Sequence, residues 1–256
     1  MKGMTRRNFV KMAGIAMATA AAGSLWQHKT SLAETADAPA APKAAEGGDH
    51  YVAPSQRQGG EAVVYFTRDL SAAGLLKAYD AIAQNMTGKV GIKLHTGEPH
   101  GPNIIPRPWV KTLIAEKLPK ANIVETNTYY QGARYTTAEH RKTLAVNGWD
   151  FAPVDIMDEE GTAMLPVKGG KWFTEMSVGS HMLNYDSLLV LTHFKGHTMG
   201  GFGGSLKNIA IGCASGQMGK KQVHGVVGVE NVDWQKAPMK EYFMELLADS
   251  GKATCD

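Results

Sequence analysis

Strand-like and helix-like runs alternate along this chain from Glu61 onward, and no other property of the sequence limits its fold as tightly. The run Glu61-Ala-Val-Val-Tyr-Phe-Thr67 is β-branched and aromatic, the composition of a strand. Behind it, Ser71 is placed to N-cap a helix reaching about Met86, with Leu75, Leu76, Tyr79 and Ile82 at helical spacing. Lys89 to His95 reads as a second strand, 108–118 as a second helix, Asn122 to Thr126 as a third strand and Thr136 to Val146 as a third helix. Pro153 to Met157 is short and extended, and Met164 to Val178 has the pattern of a hairpin turning at Gly169-Gly170. Ser187 to His193 is the most apolar run, which predicts a central strand. Such alternation predicts an α/β fold, a single domain with a largely parallel sheet flanked by helices.

The first 33 residues are expected to lie outside that domain. Thr5-Arg6-Arg7-Asn8-Phe9-Val10-Lys11 fits the twin-arginine export pattern, Met12 to Leu25 is mildly apolar, and Ser31-Leu32-Ala33 resembles a cleavage site ahead of Glu34. The apolar part falls short of the about 20 residues a bilayer requires. The order of the three parts favours a removable signal over a chance arginine pair before an uncleaved anchor. The twin-arginine translocase is then an expected partner, the destination is periplasmic or otherwise extracytoplasmic, and no stable membrane insertion is expected after cleavage.

The chain has 27 basic and 24 acidic residues. Lys2, Arg6, Arg7, Lys11 and Lys29 lie in the signal with no acid beside them, so the mature net charge is 22 minus 24, or −2. Nothing in that balance points to nucleic acid. Residues 34–60, rich in Ala, Pro and Gly, read as a flexible linker, which leaves 61–256 as the α/β domain. Cys213 and Cys255 are too few for a disulfide scaffold or a self-contained iron–sulfur cluster, and one bridge between them is open to them.

Open parallel sheets bind ligands beyond the carboxyl ends of their strands. Two strands here end in similar chemistry. One delivers Lys93 and His95 into the loop Thr96 to Arg107, and the other delivers His193, Lys195 and His197 into a glycine-rich run containing Gly200, Gly201, Gly203 and Gly204. Glycines leave backbone N–H groups able to face a ligand, and Ser205 is placed to cap a helix starting there, an anion-binding arrangement to which Lys207 would add charge. The same glycines could serve only a tight turn. No dinucleotide fingerprint or P-loop is present at this turn. His193, His197 and His95 are candidate metal ligands or proton carriers, with Cys213 a further candidate ligand whose competing reading is buried packing.

Phe194-Lys195-Gly196-His197 followed by Gly203-Gly204-Ser205-Leu206-Lys207-Asn208 resembles the core motif of a family known only as a domain of unknown function. The resemblance extends to Val90-Gly91-Ile92-Lys93 and covers about 61–254. It implies an α/β fold and a cofactor or substrate site at Lys93, Lys195, His197, Lys207 and Asn208. Some members carry a ferredoxin-type iron–sulfur module, whose cysteine pattern this chain lacks. Members also continue past the equivalent of Thr254-Cys255-Asp256, so the resemblance implies a domain incomplete at its C-terminal end.

Three functions follow as expectations. The first is an exported redox-type enzyme using a metal ion or iron–sulfur cluster, with Lys195, His197 and Lys93 as catalytic groups. The second is a non-catalytic protein holding a small anion with Gly203, Gly204, Ser205, Lys207 and Asn208. The third is a subunit that docks onto a redox partner protein.

Overall fold

The computed structural model describes residues 63–197, 201–225 and 239–255. The expected signal segment, 1–33, and the expected linker, 34–60, lie outside the described residues. The compact unit runs from Tyr65 to Asp256.

The fold is α/β, built on a sheet of four parallel strands: β1 (Val90–Lys93), β2 (Asn122–Glu125), β3 (Val154–Ile156) and β6 (Ser187–Val190), in the order β3-β2-β1-β6. The helices α1 (Ala72–Asp80), α2 (Arg107–Lys117) and α3 (Thr137–Val146) follow the expected alternation. Side chains alternate across each strand. Ile92, Ile123, Ile156 and Leu189 meet Tyr79, Val110, Leu113 and Leu144 of the three helices in one core. Val124 and Leu188 face the other way, toward Met157 and Cys213. That second face is covered by α4 (Gly204–Cys213), which packs in turn on α6 (Met239–Cys255). The hairpin of β4 (Thr162–Pro166) and β5 (Glu175–Gly179) and the short α5 (Gly219–Val223) complete this side.

Local chemistry explains the helix starts. Ser71 Oγ accepts from Gly74 N at 3.2 Å, and Thr136 and Glu139 form a reciprocal capping box at the start of α3. The α1 helix stops at Asp80, short of the expected Met86, and continues only as a 3₁₀ turn over Ala83–Asn85.

Two strand expectations are corrected. Residues 63–67 form no strand: Val64 and Phe66 are 86% and 84% exposed, and no neighbour pairs with them among the described residues. A β-branched run without a ladder partner has nowhere to place its backbone hydrogen bonds except water. The apolar run 187–193 supplies β6, which pairs with β1 and is an edge of the described sheet; the most buried strand is β1. Apolarity reports how well a strand's faces are covered and says nothing about its order in the sheet.

Candidate functional site

The carboxyl ends of β1, β2 and β6 open into a cleft of about 310 Å³ closed on one side by the first turns of α4. Because β1 and β6 are neighbours, Lys93, His95, His193 and Lys195 come together here, joined by His197, Gly203, Gly204, Lys207 and Asn208. Ser205 and Cys213 do not line it. Ser205 does not cap α4: the N-cap is Gly203, and Ser205 Oγ donates to Thr192 Oγ1 at 3.1 Å. Cys213 is fully buried against Val124 and Met157. The glycine run is not one open loop. It forms a small ribbon, β7 (Gly196–His197) with β8 (Gly201–Phe202), whose tip lies outside the described residues, and Gly204 enters the helix at φ 55°.

The cleft floor is a buried polar network. Lys93, 1% exposed, pairs with Glu125 at 2.6 Å and donates to Asn208 Oδ1 at 3.0 Å and to the carbonyl of Leu94. It lies flat under α4 because position 212 is glycine: a Cβ there would sit 2.5 Å from Lys93 Cε. Glu125 Oε1 accepts from Thr96 N and Oγ1 at 2.8 and 2.9 Å. Burial pushes the Glu125 carboxyl up, but Lys93, His140 and Arg134 outweigh it and hold the group at about 2. The loop after β1 is pinned from α3's end, where Asn147 Nδ2 donates to the carbonyls of Thr96 and Glu98 and Trp149 Nε1 donates to that of Thr96. Lys195 Nζ reaches the Asn103 carbonyl at 3.1 Å, tying the two strand-end loops together.

Sequence reasoning missed several cleft residues. Arg134 makes a partly buried ion pair with Glu98, which also accepts from Tyr130 Oη at 2.7 Å. Lys220, 5% exposed, donates to Thr126 Oγ1 at 2.5 Å, to Ala214 O at 3.2 Å and to the Asn127 carbonyl. Burial lowers it to about 7. His224 closes one wall. Glu125 carried the same signal as Lys93, a charge ending an apolar strand. Lys220 and Arg134 carried none, since only tertiary packing brings them here.

The electrostatics are lopsided. Five cationic side chains, Lys93, Lys195, Lys207, Lys220 and Arg134, face two carboxylates, Glu98 and Glu125. Both carboxylates are already paired, with Arg134 and Lys93. The Lys207 ammonium has no hydrogen-bond or ion-pair partner among the described residues, and its pKa is lowered by burial and by Lys195, Arg134 and Lys93. The histidines are held neutral: burial takes His95 and His197 down to about 4 and also lowers His193 and His224.

The metal-ligand expectation finds a different arrangement. Among the described residues, no three of His95, His193, His197 and Cys213 bring ligand atoms within 4.8 Å of one another; the set that does so is Asp155, Glu159 and His181, away from the cleft.

A family model described as Domain of unknown function (DUF362) matches residues 90–254. No curated protein and no solved structure matches the chain.

Proposed function

Given that the chain belongs to the DUF362 family, whose model spans more than half of it, we propose that its cleft binds a small anionic molecule and that the protein serves as an exported anion-binding protein. The observation that carries this reading is the unbalanced charge: after the two ion pairs, Lys195, Lys207 and Lys220 remain without a carboxylate in the cleft lining. Grouped, partly desolvated ammonium groups raise one another's energy, and a bound anion relieves that repulsion. The start of the ten-residue α4 faces the same space through Gly203 and Gly204, with its unsatisfied N–H groups and no side-chain cap. Lys220, lowered by burial to about 7, supplies a group able to exchange a proton near neutral pH.

Export rests on the twin-arginine segment, and processing of a precursor carrying Arg6→Lys and Arg7→Lys checks it: normal periplasmic delivery would sink that part. The redox reading has less support. Cys213 is buried away from the cleft, and among the described residues no three of His95, His193, His197 and Cys213 bring ligand atoms within 4.8 Å of one another.

Calorimetric titration of inorganic phosphate into the folded protein tests the anion reading. Binding should weaken with added salt, and Lys207→Gln should weaken it at least about tenfold, the loss of one charge-assisted hydrogen bond. Equal binding by wild type and variant, or no binding of phosphate, sulfate or small carboxylates, would overturn it.

A further inference from the structure

One wall of the cleft is made of rings. Tyr129 and His224 lie with centroids 5.9 Å apart, His224 and Phe243 5.6 Å apart, and Phe243 and His197 5.6 Å apart. Tyr129, His224 and His197 line the cleft, whereas Phe243 is buried behind them at 2% exposure. The Phe243 ring is close to parallel with His197, at 21°, so it backs one face of that imidazole and fixes the plane in which the ring stands.

Lysines share the cleft with this wall, and, besides burial, Lys207 is close enough to lower both imidazoles. Lys207 rises from the first turns of α4 and Lys195 from the end of the ribbon's first approach, and both line the same space. A ligand here meets both ring surface and positive charge that no cleft carboxylate offsets. Burial holds both imidazoles in the neutral form, in which they stack on a ring without adding a competing charge. The volume, about 310 Å³, lies at the small end of the roughly 300–1,000 Å³ typical of small-molecule sites.

Resting on the anion reading above, we infer that the ligand is a planar, conjugated ring bearing an anionic group, lying against His197 and His224 with its charge at Lys207 and the start of α4. A round inorganic anion would use the cations and leave the ring wall untouched. A flexible aliphatic acid of the same charge would satisfy the lysines but lack the aromatic face that pairs with an imidazole or phenol ring. Discrimination between a planar and a puckered ring of equal charge is therefore the property that the wall adds to the site.

The test compares benzoate with cyclohexanecarboxylate, using inorganic phosphate as a third probe, by calorimetric titration of the whole domain. Benzoate should bind about tenfold more tightly than the saturated acid, equivalent to about 1.4 kcal/mol. Its addition should shift the ring protons of His197 or His224 upfield in the NMR spectrum. His197→Leu keeps an apolar side chain over Phe243, and His224→Leu tests the other end of the wall. At least one of these variants should bring the two acids to within about twofold while leaving phosphate binding in place. If wild type binds phosphate and both acids but does not distinguish the acids, the planar-ring inference fails and the anion reading stands. If the preference survives both substitutions, the ring wall is not its source and the inference fails as well. If none of the three probes binds, both readings fall together.

Discussion

A lysine with 1% of its surface exposed stays charged only where another group compensates it, and Lys93 has Glu125 for that purpose at 2.6 Å. The same ammonium also holds Asn208 and the Leu94 carbonyl, so its three donors are committed to building the floor of the cleft. Lys207, with no such partner among the described residues, is the cation available to a ligand. The histidines obey a similar logic with the opposite sign of effect. Burial lowers His95 and His140 from 6.5 to about 4, so the folded state holds them neutral while the unfolded chain binds protons below 6.5. The unfolded state then binds more protons in the window from 6.5 to 4, and stability falls as the pH falls through it. Glu125, held at about 2, contributes a loss only below its ordinary value of 4.5, so the upper part of the window belongs to the histidines. His181 runs the other way, because its hydrogen bond to Asp155 raises it, and it offsets part of this loss. Urea denaturation at pH 6.5, 5.5 and 4.5 should show a falling unfolding free energy, and His140→Leu should flatten that dependence. An unchanged slope in the variant would mean that His140 binds its proton as readily in the fold as in the unfolded chain.

Elements decide which of these side chains can meet. The α4 helix crosses the sheet face above β1, and Gly212 is where the crossing is tightest, since a Cβ would stand 2.5 Å from Lys93 Cε and 2.7 Å from its Nζ. Alanine is the better helix former by about 1 kcal/mol, so propensity alone favours Gly212→Ala. Packing opposes it more strongly, because Lys93 is enclosed and cannot swing aside without breaking its pair with Glu125. The expected result is a net loss of about 1–3 kcal/mol in urea denaturation, together with weaker phosphate binding. Gly132→Ala is the control: its Cβ would meet only the Tyr130 ring at 3.8 Å, an ordinary contact, and it should leave stability within about 0.5 kcal/mol of wild type. A stabilised Gly212→Ala would contradict the packing described for Lys93.

At the scale of the whole molecule, the α/β class and the positions of β1, β2, β3 and the β4–β5 hairpin were legible, because period-two and helical patterns follow from which faces are buried. The meeting of Lys93, His95, Lys195, His197 and Lys207 was legible too, since strands in a parallel sheet deliver their ends to one side. Strand order was not: the apolar run 187–190 pairs on one side only, and residues 63–67 have strand chemistry without a strand partner. Lys220, Arg134 and His224 reach the cleft through α5 and connecting loops whose courses no local pattern encodes. Charge balance was hidden for the same reason, because a whole-chain net charge of +3 gave no hint of five basic side chains facing two paired carboxylates. That local imbalance is the central claim, and a crystal soaked in selenate tests it most directly through the anomalous signal of selenium. A peak is expected within hydrogen-bond distance of Lys207 Nζ and the backbone at Gly204, lost in crystals of Lys207→Gln. Selenate peaks confined to the outer surface, with none in the cleft of the wild-type protein, would contradict it.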